Sequence, residues 1–518
     1  MKTTKNIVRR AAVLLLCLAA VMGVMFGGSA YASGAEAAAA VHLQRDDWAD
    51  DVKQAINDLV DTYGVYSAGY DDTAYAVFDF DNTTVIFDVE EQLAAYQLQS
   101  MSFALTPEEL PAVLITGLSD PDEDLTALGY GSGSYRDWIT DITAAYTALY
   151  DAYGPFTPAG ADAETRQTMQ ADEQWQEFAA KMRAMYDLVY EHESASAAYP
   201  WITYWFTGMT EQEVYDLAAA SHTLYGNVET EQVTWSSPAD MDSAVGPVTV
   251  TWTAGITVTE NIKELWQVLC RNGIDVWVCS ASDINAVCAA VDVFGLHDLC
   301  TGVIAMTDVM EDGKYVNAYD YKTGVCRCAG EDGTWSRGTA ASGAQTQGPG
   351  KVTAINNILC AAYGCGPLCG FMDSSGDFNF CTEYDTLKLV VCMNRASRKV
   401  TDGGGLIAEV AVYEKDTLHY DLQAANAAGD TLYVLQGRDE NGMRTLRDAN
   451  STVRFGTAEE KLFCDAENEA QLQYMAAHHM TVAEILDCFA VKTAAADPDN
   501  VLGFDYGFLA AYSGYHSA

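Results

Sequence analysis

Short runs of apolar residues alternate along this chain with longer segments in which apolar residues recur every three or four positions. The short runs are typical of strands buried on both faces of a sheet, and the longer segments are typical of helices that pack one face against it. Strand and helix repeated in this order favour parallel strands. We therefore predict an α/β fold, a Rossmann-like doubly wound parallel sheet. The predicted strands are 76–80, 275–279, 303–306, 368–372 and 387–393.

Glycine marks the ends of the helices predicted between these strands. It is favoured just beyond a helix because it adopts a left-handed conformation at no steric cost. Each predicted helix is followed directly by such a residue. The helices are 260–272, 283–294 and 351–363, followed by Gly273, Gly295 and Gly364.

Two long segments interrupt the alternation of strand and helix. Residues 91–254 follow the first strand and carry helical patterns, and an insert at the carboxyl end of a strand lies over the ligand crevice. We predict that they form a large, mainly helical cap. Residues 310–350 end in a stretch rich in Gly, Ser, Thr and Gln, which predicts a mobile loop or hairpin near the same crevice. One stripe of the cap, predicted to pack rather than to bind a ligand, contains Trp175, Phe178, Met182, Met185, Tyr186 and Val189.

The first 32 residues have the three-part pattern of a secretory signal. Basic residues precede an apolar run over 11–26, and the small residues Ala30 and Ala32 offer a cleavage position. The run is short for a bilayer span, and an uncleaved N-terminal anchor is the alternative. We predict an exported protein, either secreted, periplasmic or associated with the cell surface. It has no stable membrane anchor once the leader is removed.

These features divide the chain into five parts. The role of the last part is not indicated by any pattern in it. The parts are a signal peptide (1–32), an N-terminal segment (33–73), the α/β core (74–90 and 255–400), the cap (91–254) and a C-terminal extension (401–518).

The formal net charge of −45 narrows the classes of partner. A surface this acidic repels nucleic acid and anionic membranes, and it gives no long-range attraction to a phosphate. A phosphate site in this protein must therefore gather its cations locally. Of the 14 cysteines, all but Cys17 lie beyond residue 269. The remaining number is odd, so at least one of them has no disulfide partner within the chain, and the sequence predicts neither the pairing nor the oligomeric state.

Two carboxylates directly after the first strand carry the strongest chemical signal. They are Asp79 and Asp81, two residues apart, so that both can face the crevice as the chain leaves the sheet. Phosphoryl transfer to an enzyme group needs a nucleophile, a proton donor for the leaving oxygen, and positive charge around the phosphoryl oxygens. The carboxylate pair suits the first two of these roles.

Three further short motifs lie at other strand and helix ends. Ser280 ends the strand 275–279, and Lys351 opens a helix after the Gly-rich stretch. The strand 368–372 is followed by Asp373-Ser374-Ser375-Gly376-Asp377. Together with Asp79-Phe80-Asp81-Asn82-Thr83, these motifs resemble the four motifs of the haloacid dehalogenase superfamily in order and in structural place. One departure is Met372, where many relatives have glycine before the aspartate.

The resemblance implies a Mg²⁺-dependent phosphatase and a role for each residue. Asp79 attacks phosphorus and forms an aspartyl phosphate, while Asp81 protonates the leaving oxygen and then activates water. Ser280 hydrogen-bonds the phosphoryl oxygens, and Lys351 neutralises their charge. Mg²⁺, a hard ion suited to oxygen ligands, is held by Asp79, Asp373 and the backbone carbonyl of Asp81. Supporting roles fall to Thr83, Ser374 and Asp377, the last of which orients Lys351 or a water on the metal.

A closer resemblance, to the bacterial phosphorylcholine phosphatases, concerns the substrate. It rests on Asp88-Val89-Glu90-Glu91, Tyr199-Pro200-Trp201, Gly366-Pro367-Leu368 and Gln436-Gly437-Arg438-Asp439-Glu440. The resemblance implies release of choline from phosphocholine, whose trimethylammonium group binds aromatic faces beside a carboxylate. The predicted cage consists of Tyr199, Trp201, Trp205 and Phe206, with the charge from Glu90 or Glu91.

Three alternatives stay open at this level. The aromatic residues of the predicted cage can instead be packing residues of the cap. A broader phosphatase would act on phosphoserine, phosphoethanolamine or sugar phosphates. An exported binding protein would keep the fold without turnover, although every catalytic position being filled argues against it.

Overall fold

The computed structural model describes residues 39–340, 342–396, 403–462 and 467–488, and a short strand pair at Lys492–Thr493 and Phe504–Asp505. The predicted signal peptide, 1–32, lies outside the described residues. Among the described residues, no helix has the length and apolar character needed to cross a bilayer.

One eight-stranded sheet forms the centre of the protein. Its spatial order is β8-β7-β6-β1-β2-β3-β4-β5, so β1 lies in the middle between β6 and β2. The six strands from β8 to β3 are parallel. In chain order the strands are β1 (Tyr75–Phe78), β2 (Asp275–Asp283), β3 (Gly302–Met306), β4 (Gly324–Ala329), β5 (Trp335–Ala340), β6 (Cys369–Met372), β7 (Leu389–Met393) and β8 (Leu432–Gln436).

Helices surround this sheet and fill the segment between β1 and β2. In chain order they are α1 (Asp50–Tyr63), α2 (Val89–Ser100), α3 (Leu110–Leu114), α4 (Tyr135–Tyr153), α5 (Ala163–Gln170), α6 (Glu173–His192), α7 (Ala195–Thr203), α8 (Glu211–Tyr225), α9 (Glu260–Arg271), α10 (Ile284–Val293), α11 (Pro349–Ile355), α12 (Phe378–Thr382), α13 (Gly403–Tyr413), α14 (Leu422–Ala428), α15 (Glu467–Ala477) and α16 (Val482–Cys488).

Alternate residues of β1 belong to opposite faces of the sheet, as the two-residue period of a strand requires. Ala76 and Phe78 pack in one buried cluster with α1, α9 and α10. Tyr75 and Val77 pack in a second cluster with α11, α12 and α13. Helices on both faces bury the strand completely, which explains why it has a continuous apolar run rather than an alternating pattern. The predicted α/β Rossmann-like class is confirmed.

The sheet is mixed rather than wholly parallel, which corrects the prediction at one edge. β4 pairs antiparallel with β3, and β5 pairs antiparallel with β4. Both strands come from 310–350, which also contributes to a hairpin of Asp308–Glu311 and Lys314–Tyr319. In β4 the buried Arg327 lies 2.5 Å from Glu211 of α8. A charged residue inside the strand removed the apolar pattern that would have predicted it.

Residues 91–254 are mainly helical, as predicted. This stretch contains α3 to α8, most of α2, and a hairpin of Glu231–Ser236 and Thr249–Ala254. The apolar stripe predicted for packing lies on α6, and all of its members are buried. The stripe therefore belongs to the interior of the cap.

The C-terminal extension is part of the core, which corrects the predicted boundary at residue 400. Its strand β8 pairs in parallel with β7, and α13 packs on β8. Beyond β8 the chain forms a small sheet of Arg438–Asp439, Thr445–Leu446, Thr452–Val453 and Glu460–Lys461. The strand β8 thus completes one edge of the central sheet.

Most predicted element ends move by one to four residues. β1 ends at Phe78 rather than at 80, and β2 continues to Asp283 rather than ending at 279. The helix predicted over 351–363 begins two residues earlier, as α11, and continues through Asn356–Cys360 and Ala361–Tyr363. Because parallel strands share one carboxyl edge, the loops after β1, β2, β6 and β7 meet there. The candidate site lies at this edge.

Candidate active site

The loop after β1 fixes Asp79 at the carboxyl edge of the sheet. Its backbone N–H donates to the carbonyl of Phe371 in the neighbouring strand β6 at 2.9 Å. The Thr83 hydroxyl donates to Asp79 Oδ2 at 3.1 Å, and the Thr84 hydroxyl donates to the Asp79 carbonyl at 2.7 Å. Asp79 is buried, and three hydrogen bonds fix its backbone and side chain. Thr83 supports it by a direct hydrogen bond.

Lys351 joins two of the predicted aspartates. Its Nζ lies 2.6 Å from Asp79 Oδ1 and 2.6 Å from Asp377 Oδ1, and the side chain is almost wholly buried. Burial opposes the charge of Lys351, but the carboxylates of Asp377 and Asp79 outweigh it and raise the pKa of Lys351 above its ordinary value. The ammonium group therefore stays charged at neutral pH.

Asp79, Asp373 and Asp377 form a compact group of buried carboxylates. One oxygen from each lies within 4.8 Å of the others, and no other described residues form a group of this kind. Burial raises the pKa of Asp79, the charges of Asp377 and Asp373 raise it further, and Lys351 opposes them. Arg395 Nη1 lies 3.0 Å from Asp373 Oδ2. Three hard oxygen donors that repel one another suit a divalent cation such as Mg²⁺.

The backbone of the loop after β6 hydrogen-bonds the side chain of Asp377. Asp377 Oδ2 accepts from the N–H groups of Asp373 and Ser374, both at 3.3 Å. The hydroxyl of Ser374 lies 3.5 Å from the same oxygen. Asp377 therefore uses one oxygen for the loop and the other for Lys351. Met372 completes β6, so this loop forms without a glycine before Asp373.

Asp81 projects away from the carboxylate group. Its Oδ1 accepts from the backbone N–H of Val89 at 2.7 Å, and its Oδ2 accepts from the hydroxyl of Ser282 at 2.6 Å. Burial, followed by the charge of Asp88, raises the pKa of Asp81 well above its ordinary value. A carboxyl group with a raised pKa retains its proton toward neutral pH and can act as an acid. The predicted contribution of Asp81 to the metal is through its backbone carbonyl, not this carboxylate.

Ser280 lies within the extended strand β2 and is completely buried. Its hydroxyl accepts from the N–H of Ser282 at 3.1 Å, and its carbonyl accepts from the hydroxyl of Thr346 at 2.5 Å. The register between β2 and β3 shifts between Cys279 and Asp283, the stretch that contains Ser280 and Ser282. Ser282 was not predicted because the strand was predicted to end at 279, whereas it continues to Asp283 and includes both serines.

The predicted substrate carboxylates have different surroundings. Glu90 is buried, and its Oε2 accepts from the N–H of Asp283 at 2.8 Å. Glu91 is more exposed and lies 3.3 Å from Arg183 of α6. Burial, together with the charge of Glu91, raises the pKa of Asp88 to about 7. Asp88 therefore lies near Asp81, and Glu91 lies beside the cap helix α6.

Trp201 and Trp205 are packing residues, which corrects their place in the predicted aromatic cage. Each exposes only 1% of its surface, and the two rings contact each other with centroids 5.5 Å apart. The Trp201 indole donates to the carbonyl of Leu114 at 2.8 Å. Phe206 is equally buried. Their faces are covered by protein, so they offer no surface to a ligand.

Tyr199 is placed differently from the two tryptophans. It is half-buried, and its ring centroid lies 6.0 Å from that of Tyr190. Burial raises its pKa, and the neighbouring Tyr190, Asp88 and Glu91 raise it further. Asp88 and Glu91 also raise the pKa of Tyr186 after burial. Asp88 and Glu91 therefore lie close enough to Tyr199 and Tyr186 for their charges to act on both phenol groups.

Comparisons with known proteins bear on the fold. No protein-family model matches the chain, and no curated protein sequence matches it. A functionally unknown protein from Anaerococcus prevotii DSM 20548 has a similar solved structure, with 24% identity and a TM-score of 0.62 over 79% of this chain and 97% of that one. This likeness supports the fold alone.

Two further solved structures share less with the chain. A protein of unknown function from Bordetella pertussis Tohama I is 12% identical, with a TM-score of 0.32 over 70% of this chain and 97% of that one. Cytosolic 5'-nucleotidase IIIB bound to cytidine is 12% identical, with a TM-score of 0.26 over 68% and 81%. At these scores neither structure adds to the argument.

The fold and the site define an α/β, Rossmann-like protein with a buried carboxylate and lysine site at the carboxyl ends of its parallel strands.

Proposed function

We propose that the protein is a Mg²⁺-dependent phosphomonoester hydrolase of the haloacid dehalogenase type that acts through an aspartyl phosphate. One observation carries the proposal. Asp79 lies buried in a group with Lys351, Asp373 and Asp377, while Asp81, two residues away, keeps its carboxyl apart from that group. A nucleophile and a proton donor with separate environments are what the reaction requires.

In the first half of the reaction Asp79 is the nucleophile. One of its carboxylate oxygens attacks phosphorus, the bond from phosphorus to the alcohol oxygen breaks, and the alcohol leaves. Asp81 gives its proton to that leaving oxygen, which its raised pKa favours. Lys351 balances the negative charge of the phosphoryl group, and the buried hydroxyl of Ser280 donates a hydrogen bond to it.

In the second half Asp81, now a carboxylate, acts as a base. It removes a proton from a water molecule, whose oxygen attacks phosphorus and breaks the bond to Asp79. Inorganic phosphate leaves, and both aspartates return to their starting states. Ser282, which donates to Asp81 at 2.6 Å, keeps its carboxyl oriented in both halves.

Asp79, Asp373 and the backbone carbonyl of Asp81 would hold the Mg²⁺ ion, and Asp377 lies within reach of the same group. Such an ion supplies positive charge to the phosphoryl oxygens. The protein is otherwise strongly acidic, with a net charge of −45. Local cations at the site therefore have to offset long-range repulsion of an anionic substrate.

The first substrate candidate is phosphocholine, and the protein is proposed to act outside the cytoplasm after export. Resemblance to the bacterial phosphorylcholine phosphatases supports this substrate. So do the half-buried Tyr199 and the adjacent carboxylates of Asp88 and Glu91, which suit a cation. The second candidate, favoured by the burial of Trp201 and Trp205, is a broader phosphomonoesterase without an aromatic cage.

A substrate panel tests the proposal. Purified protein without residues 1–32 is assayed on p-nitrophenyl phosphate, phosphocholine, phosphoethanolamine, phosphoserine and a sugar phosphate, with Mg²⁺ and with EDTA. We expect Mg²⁺-dependent release of phosphate that the Asp79→Asn variant lacks. A wild-type protein that folds but hydrolyses none of these esters would leave the binding-protein alternative. Equal kcat/KM for phosphocholine and phosphoethanolamine would remove the choline preference and keep the phosphatase.

A further inference from the structure

The C-terminal extension contacts the loop that carries the reaction. Arg438, in the first short strand after β8, is 1% exposed and lies beside Asn82, which stands between Asp81 and Thr83. The two residues are 356 positions apart in sequence. No role for 401–518 follows from the sequence, and this contact links the extension directly to the loop that carries Asp79 and Asp81.

The guanidinium group of Arg438 binds both oxygens of Asn82. Nη1 donates to the Asn82 carbonyl at 3.0 Å, and Nη2 donates to the side-chain Oδ1 at 3.0 Å. A planar fork of this kind fixes direction as well as distance, which a lysine ammonium cannot do. Arg438 thus sets the orientation of the Asn82 side chain and of the peptide between Asn82 and Thr83, next to Asp81.

Asn82 occupies a backbone conformation that needs such support. Its φ of 61° lies in the left-handed region, which asparagine tolerates better than most residues. Its N–H donates to the carbonyl of Phe87 at 2.9 Å, which closes the loop on itself. The loop is therefore held from inside by Phe87 and from outside by Arg438.

Glu440 holds Arg438 in turn. Glu440 Oε1 accepts from Nε at 3.0 Å and from Nη2 at 2.7 Å, and Oε2 accepts from the N–H of Phe455 at 3.1 Å. The N–H of Arg438 donates to Thr452, whose hydroxyl donates to the carbonyl of Asn394 after β7. The buried charge is paired, and both partners are hydrogen-bonded, so the group is rigid.

Resting on the function proposed above, we infer that Arg438, oriented by Glu440, is a positioning residue for the proton-transfer step. Through Asn82 it fixes the loop from which Asp81 delivers its proton to the leaving group. Its loss moves the Asp81 carboxyl without removing it. Esters with poor leaving groups then suffer most, because they depend on that proton.

The test compares two esters in three variants. Phosphocholine leaves as an alkoxide that needs a proton, and p-nitrophenyl phosphate leaves as a phenolate that barely needs one. A positioned acid contributes a factor of roughly 10² to 10⁴, so we expect Arg438→Gln to lower the kcat for phosphocholine about tenfold more than that for p-nitrophenyl phosphate. Arg438→Lys, which keeps the charge and loses the fork, shifts the ratio in the same direction. Arg447→Gln is the control, because Arg447 lies in the same segment but binds Ser451 and Glu460.

Each outcome decides a different claim. A wild-type protein inactive on both esters overturns the proposed function. If the wild type is active and Arg438→Gln lowers both rates by the same factor, its ratio of the two rates equals that of the Arg447→Gln control. That result overturns the positioning role. If Arg438→Gln does not fold, Asn82→Gly carries the test, because glycine keeps the left-handed conformation and removes only the Oδ1 contact. An unchanged ester ratio in Asn82→Gly and in Arg438→Lys contradicts the inference.

Discussion

Replacement of Lys351 with methionine probes the site without requiring turnover. The change keeps an apolar chain of similar length and removes the ammonium group that touches both Asp79 and Asp377. Removing one partner of a buried ion pair costs about 3–5 kcal/mol, because the remaining charge stays buried without compensation. We take about 4 kcal/mol as the expected loss in the free energy of unfolding.

The expected shift in melting temperature follows from the length of the chain. An unfolding entropy of about 2.1 cal/mol/K per residue gives about 1 kcal/mol/K for the whole chain of 518 residues. In EDTA, Lys351→Met should therefore melt about 4 °C below the wild type. Added Mg²⁺ should raise the melting temperature of the variant more than that of the wild type, since the freed carboxylates bind the cation more tightly.

Thermal unfolding followed by circular dichroism measures both effects. Lys263→Met is the matched control, because Lys263 makes an exposed ion pair with Glu260 at 2.7 Å, and such pairs contribute about 0–1 kcal/mol. The double variant Lys351→Met/Asp377→Asn should recover part of the loss, because it removes one of the uncompensated charges. A melting temperature of Lys351→Met in EDTA equal to that of the wild type would refute the assignment of a buried, charge-paired lysine.

Three further predictions concern the reaction and the cap. Asp81→Asn should lower kcat for alkyl phosphates by about 10²-fold or more while sparing p-nitrophenyl phosphate, which a series of esters with different leaving groups measures. In the wild type, kcat for alkyl phosphates should fall as pH rises through the raised pKa of Asp81, because the proton is then lost, and a pH profile measures this fall. EDTA should abolish turnover and Mg²⁺ should restore it, whereas Ca²⁺ should restore it poorly because it accepts looser coordination. Full activity after exhaustive chelation would show that turnover needs no metal ion. Trp201→Ala should lower the free energy of unfolding by about 3–5 kcal/mol, because it leaves a cavity in the core, while Tyr199→Ala should mainly raise KM for phosphocholine. If Trp201→Ala instead raised KM without lowering the free energy of unfolding, Trp201 would belong to the substrate site.

The central strands were predictable because burial on both faces leaves a continuous apolar run. Such runs located β1, β3, β6 and β7 to within two residues. The strand β4, which lies between β3 and the edge strand β5, escaped because its buried Arg327 interrupts the run and is compensated by Glu211, which lies on a different element. Compensation between distant residues leaves no local pattern.

The same limit applies to the site. Asp79, Asp373, Asp377 and Lys351 were predictable because each follows or opens an element at the carboxyl edge of the sheet, and the fold brings them together there. No role at the site was predicted for Arg395 or Arg438, because their partners, Asp373 and Asn82, lie 22 and 356 residues away in sequence. Trp201 and Trp205 were misassigned because an aromatic residue has the same sequence signature in a core as in a binding pocket.

Detection of phosphate on Asp79 tests the central claim most directly. Wild-type protein is mixed with p-nitrophenyl phosphate and Mg²⁺, quenched in acid on the millisecond scale, reduced with borohydride, and mapped by peptide mass spectrometry. An aspartyl phosphate is reduced at its carbonyl carbon, so the account predicts a reduced side chain at Asp79, absent from Asp79→Asn and from samples without substrate. Reduction at a different residue, or no reduction at Asp79 in samples taken throughout the first turnover, would contradict it.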